Sequence, residues 1–166
     1  MFSIQFDLIS PLPDDLVMRY PDAQKKFVKG YIDFGTTREE MQRREEWFIS
    51  PLHMWSVQDY EKHWIEALER MVCGQDQSAL IVSLGTLMPD DYIGWWPMWR
   101  FGETVKFHEQ MLFSSQLSEP FDIADSYVHV SEYHEVNEDG HRLSEWEVSV
   151  SDIAAFLDAQ AKIGTG

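Results

Sequence analysis

The chain carries a single cysteine, Cys73, which excludes an internal disulfide framework and suits a reducing compartment. Bases are scarce in its C-terminal part: residues 107–161 hold one, Arg142, against 12 acids. Long apolar runs are missing too. The longest, Ala79 to Met88, is broken by Ser83 and Gly85 and falls far short of a membrane span. The first ten residues, MFSIQFDLIS, have no basic residue and carry Asp7, unlike a secretory leader. The nine glycines are scattered, so no loop could cradle phosphate, and no serine sits in a G-x-S-x-G elbow. These absences predict a cytoplasmic protein and leave the common catalytic motifs unrepresented.

What is present is acid, aromatic rings and length. A chain of 166 residues, 44% apolar, is most simply one domain over 1–166 with a sizeable core. It holds 29 acids and 13 bases, a formal net charge of −16. That field repels nucleic acid and anionic lipid and attracts a basic partner. Neither a direct nucleic acid partner nor a membrane is therefore expected. On charge alone, plain solubility is the stronger reading.

Hydrophobic patterning predicts an α+β domain, mainly an antiparallel sheet with helices packed on it. Phe2, Ile4, Phe6 and Leu8 alternate with polar residues, as in an edge strand with one buried face, and Pro11 and Pro13 end it. Residues 21–47 read as fragmented helix: Pro21 opens one piece, and Gly35 separates it from the solvated TTREEMQRREEW. The clearest helix starts at Ser56, where Asp59 completes a capping box. It repeats Val57, Tyr60, Trp64, Leu68 and Met71, and stops at Gly74. Ser78–Thr86 is apolar on both faces and reads as a central strand. Phe101-Gly102-Glu103-Thr104 suits a tight hairpin with glycine first. Beyond it, Val105, Phe107, Met111 and Phe113 should face the core, with Lys106, His108 and Gln110 facing away. A last hairpin should join strands 128–136 and 141–149 through Asn137-Glu138-Asp139-Gly140. A final helix from about Ser151 should bury Ile153, Phe156, Leu157 and Ile163.

The segment YIGWWPMWRF places three tryptophans, Trp95, Trp96 and Trp99, within five positions. Exposed sugar-stacking platforms pair rings with polar neighbours, and here only Tyr92 and Arg100 are close. Apolar residues on both parities favour a covered strand, so the cluster is expected to be mainly core. One ring, Trp95 or Trp99, could still reach a binding surface. Pro97 lacks a ladder donor, which calls for a bulge or a helix-covered edge. Six histidines invite a metal reading, with His134, His141 and Glu132 on the last hairpin the best set. Exposed hairpin histidines are commoner than sites, so no metal or other cofactor is expected. Cys73, at a helix end, is expected to be half-buried and inert. No residue set points to catalysis.

Several motifs occur in order. Pro51-Leu52, Trp55, Asp59-Tyr60 and Trp64 lead into Leu68; Ser78-Ala79-Leu80 opens a strand; Leu143-Ser144-Glu145-Trp146 precedes the last helix. Over roughly residues 50–160 this pattern resembles the immunity proteins of bacterial contact-dependent growth inhibition (CDI) systems, the CdiI family. Residues 10–48 find no counterpart and read as a family-specific insertion. The resemblance implies no catalysis, no cofactor and one cognate partner, the toxin domain delivered by a neighbouring cell. It further implies that this toxin is often a ribonuclease cutting transfer RNA. Trp55, Asp59, Tyr60, Trp64 and Trp146 carry the resemblance and read as structural.

A nuclease holds RNA phosphates with lysine and arginine, so carboxylates can occupy its cleft and speed encounter. Charge density therefore places the toxin-binding surface on the last hairpin: Glu132, Glu135, Glu138 and Asp139, with Tyr133 as an aromatic anchor. An acidic adaptor or regulatory module that binds another protein predicts the same charge and remains the alternative.

Overall fold

The alternating residues at the N-terminus form β1 (Ser3–Asp7), the edge of a three-stranded antiparallel sheet ordered β1-β2-β3. The other two strands are β2 (Phe27–Thr36) and β3 (Arg43–Pro51). The fold is known from a computed structural model that describes residues 1–36, 43–85, 92–113, 115 and 121–163. The helical reading of 21–47 is overturned. The only helices before β2 are α1 (Asp14–Arg19) and the single turn α2 (Ala23–Lys26), and Arg43 to Trp47 lie in β3. Residues 37–42 of the expected solvated helix lie outside the described residues. Helix propensity lost here because β2 brings Ile32 and Phe34 into the main core, and burial outweighs a weak local preference. Gly30 is needed on that strand. It pairs with Phe48, and a Cβ built at Gly30 would lie 2.4 Å from the Phe48 ring.

The second sheet contains β4 (Gln77–Gly85), β5 (Tyr92–Phe101), β6 (Thr104–His108), β7 (Gln110–Phe113) and β8 (Glu145–Ser149). Its order is β4-β5-β6-β8, with β7 also on β5 and every pairing antiparallel. The tight hairpin forms as expected: Phe101 pairs with Thr104, and Gly102 has φ +62°. Neither device expected at Pro97 occurs. The β4–β5 bulge falls between Ile81 and Ser83, and β5 lies between β4 and β6/β7. Instead the ladder lapses: β6 stops at His108 and β7 starts at Gln110 in unchanged register, leaving Glu109 opposite Trp96. The break beside Pro97 fits a residue without an N–H.

The two sheets meet through aromatic rings. Phe34 stacks on Trp146 at 5.2 Å and lies 5.3 Å from Trp96, while Phe2 lies 5.7 Å from Phe107. Such pairs add about 1 kcal/mol each beyond burial. Trp95, Trp96 and Trp99 are 2%, 1% and 5% exposed, so all three are core and neither Trp95 nor Trp99 reaches the surface. Met111, by contrast, is 56% exposed. It pairs with Gly94 at the sheet margin, where no side chain on its partner covers it.

Helix α3 (Val57–Val72) has the expected capping box, Ser56 with Asp59, and Gly74 beyond its end at φ +91°. Cys73 is exposed rather than half-buried, because its C-cap position faces away from the packed stripe. Arg100 donates to the terminal carbonyls of Met71 (2.6 Å) and Val72 (3.2 Å), complementing the helix dipole. Helix α4 (Val150–Ile163) buries Ile153 and Phe156. Ile163 is exposed, since the last turn runs past the core.

Strand β4 is buried on both faces, yet it ends the hydrogen-bonded ladder and is not central. Side chains replace the missing strand. Trp64 donates to Ile81 O at 2.7 Å and His63 Nε2 accepts from Ile81 N at 3.1 Å. The Tyr60 hydroxyl accepts from Leu84 N at 3.1 Å and donates to Pro51 O at 3.0 Å. Ser50 donates to Val82 O. Buried backbone groups must find partners, and the Tyr60–Trp64 spacing supplies them.

Candidate protein-binding surface

The outer face of the second sheet is built by alternation. Trp99, Phe101, Lys106, His108, Glu145 and Glu147 share it through the pairs Trp99–Lys106, Lys106–Glu147 and His108–Glu145. His108 does face away from the inter-sheet core, but it is buried. What covers it is not a strand. The expected strand 128–136 is replaced by a 3-10 turn, Ser126–His129, and an irregular strap, residues 130–140, joined to the return segment by one bridge, Val136–Arg142. Strand β8 pairs with β6 instead. The expected turn is present in reduced form: Asn137 N donates to His141 O at 2.8 Å, and Gly140 has φ +78°.

A polar cluster fastens this strap. Trp99 Nε1 donates to Ser131 O at 2.9 Å. The Tyr133 hydroxyl accepts from Lys106 Nζ at 2.9 Å and donates to Glu145. Glu145 also meets Lys106 at 2.9 Å and His108 Nε2 at 3.1 Å. Burial would raise the Glu145 carboxyl, but hydrogen bonds from Tyr133, Lys106 and His108 together hold it at about 2. Bonds to Tyr133 and Glu145 push the Lys106 ammonium up. The charged forms of both residues are thus fixed at neutral pH. Just ahead of the strap, Arg70 lies 3.4 Å from the Tyr127 ring centroid, tying the 3-10 turn to α3.

The strap presents its acids outward. Glu132, Glu135, Glu138 and Asp139 are exposed, while Tyr133 is half-buried with its ring against Trp99, Phe101 and His108. His134 and His141 are exposed, and no group of three metal-ligating side chains occurs among the described residues. A groove of about 720 Å³ lies elsewhere, between β1, α3 and α4, over Phe6, Trp64, Ile65 and Phe156.

A family model, the CdiI N-terminal domain, matches residues 50–156. The chain belongs to that family. It is the immunity-protein family that the ordered motifs resemble. Among solved structures, a chain of "CdiA-CT/CdiI toxin and immunity complex from Enterobacter cloacae" superposes with a TM-score of 0.73 at 19% identity. The match covers 98% of this chain and 99% of that one, so the two share a fold. Comparison with curated proteins gave no match. Among the described residues no helix is long and apolar enough to cross a membrane.

The motif residues have structural work in this CdiI-family chain. Asp59 caps, Tyr60 and Trp64 satisfy the β4 edge, and Trp146 packs on Phe34. Sequence reasoning missed the cluster of Lys106, His108, Tyr133 and Glu145. The facing of Lys106 and His108 was legible, but their partners lie 27 to 39 residues away.

Proposed function

We propose that the chain is a CDI immunity protein that binds a cognate toxin domain and neutralises it. Family membership over residues 50–156 carries this reading. The shared fold with a chain from a toxin–immunity complex supports it. The partner is a basic nuclease domain, most simply a ribonuclease acting on transfer RNA, and inhibition blocks its active site or the approach of substrate. The acidic strap supports that choice, because carboxylates complement a phosphate-binding cleft. The contact surface takes in Glu132, Tyr133, Glu135, Glu138 and Asp139. The protein acts in the cytoplasm by binding alone, without catalysis, cofactor, direct nucleic acid contact or membrane. Residues 1–166 act as one domain. Within it, residues 10–48 are a family-specific insertion that contributes Ile32 and Phe34 to the core.

The test is a rescue assay. The C-terminal toxin domain encoded immediately upstream is expressed with and without this protein, and growth and transfer RNA integrity are followed. Rescue with co-purification of a stable complex is the expected outcome. A toxic domain that is neither bound nor rescued refutes the reading and leaves the acidic adaptor in its place.

A further inference from the structure

Phe101 stands at the tip of the β5–β6 hairpin and is 49% exposed. Half of this large ring is therefore available for contact with another molecule. Its inner side is occupied: Tyr133 meets it edge-on at 5.1 Å, and the Lys106 ammonium lies 5.9 Å from its centroid. Lys106 is also 5.0 Å from the Tyr133 ring and within 3.3 Å of Glu147. The fold thus already holds one cation between these two rings and neighbouring carboxylates.

In the ion pairs around Phe101 the base is the more buried partner and the acid the more exposed one. The nearby bases are mostly spent on the fold: Arg100 donates to the carbonyls of Met71, Val72 and Gly102 and reaches Glu103 at 3.5 Å, and Lys106 meets Tyr133, Glu145 and Glu147. The acids extend past those bases into solvent: the Glu103 side chain, paired with Arg100, is 86% exposed and that of Glu147, paired with Lys106, 53%, and Glu132, next to Tyr133 in the chain, is exposed. An open aromatic face rimmed by carboxylates attracts a cation through both the ring quadrupole and the field. The ring sits on a projecting hairpin rather than in a cavity, which suits a side chain on another protein's surface.

We propose that Phe101 is the seat for a lysine or arginine side chain of the toxin domain, with Glu103, Glu132 and Glu147 as its acidic rim. This rests on the immunity reading and moves the aromatic anchor from Tyr133, whose hydroxyl is committed inward, to Phe101. The energetic centre of the interface is then the hairpin tip, where a ring and its charged rim meet.

The test measures binding of the toxin domain encoded immediately upstream to wild type, Phe101→Tyr, Phe101→Leu and Phe101→Ala, with melting curves for each. Tyrosine keeps the ring and should bind like wild type. Leucine keeps apolar bulk without the quadrupole and should weaken binding by about tenfold. Alanine should weaken it further. Glu66→Lys, a surface charge on α3, serves as the control for net charge and should change affinity little. Unchanged affinity in folded Phe101→Leu and Phe101→Ala overturns the proposal and leaves the immunity reading standing. Leucine equal to wild type with alanine weak marks an apolar contact and overturns the cation seat. No binding by wild type defeats both the proposal and the reading on which it rests.

Discussion

The two faces of the second sheet solve the same covering problem with different chemistry. The inner face is closed by rings: Trp96, Phe107 and Trp146 meet Phe2 and Phe34 of the first sheet. The outer face is closed by an irregular strap fastened through Tyr133, Lys106, Glu145 and His108. Apolar packing is non-directional and tolerates any water-facing side on its partner. A polar fastening is directional, so it fixes where the strap's exposed acids point. The inner face therefore holds the fold together, and the outer face presents the surface on which binding is proposed.

The largest effect should come from the inner side. Trp64→Ala removes a buried ring and leaves Ile81 O without its donor. A loss of about 4 kcal/mol is expected in denaturant unfolding. A loss below about 1 kcal/mol would mean that the β4 edge is held without it.

Acid should separate the β4 edge from the strap fastening. Burial depresses His63 from 6.5 to about 4. Above pH 6.5 both folded and unfolded chains carry it neutral. Between 6.5 and 4 only the unfolded chain takes up the proton, so stability falls as pH falls, by about 3 kcal/mol. His63→Gln should flatten that part of the stability curve. Glu145, depressed from 4.5 to about 2, works in a lower window. Its contribution is present above pH 4.5 and is lost as pH falls toward 2. Unfolding measured from pH 8 to 2 should thus show the His63 slope first. A flat curve between 6.5 and 4 would contradict the first assignment.

The smallest effect belongs to the outer side alone. Lys106→Met leaves Glu145 partly buried with one partner fewer. A loss of about 1 kcal/mol is expected, with the fold intact and amide exchange of residues 131–136 accelerated. Equal acceleration in β4 and β5 would show that the fastening is not confined to the strap.

How much of this was legible depended on how far apart the partners lie in the chain. The α3 capping box and the Phe101–Thr104 hairpin depend on residues at most three apart, and both were readable. Strands β2 and β3 were misread as helix because their charged, glycine-containing sequence has no clean alternation, while Ile32 and Phe34 are placed by the other sheet. In the strap, the acids and their exposure were readable. The fastening was not, since Tyr133 meets Lys106 only when β6 lies beneath it.

The sequence by itself determined the α+β class, the aromatic core, the one-sided charge and the family, because composition, periodicity and motif order are local or additive properties. Only the tertiary structure decided three further things: that β4 is an edge completed by α3 side chains, that Pro97 sits at a lapse in the ladder, and that Phe101 rather than Tyr133 keeps an open ring. Each depends on which groups are left over after long-range pairing, and unpaired groups can be identified only once every partner has been placed.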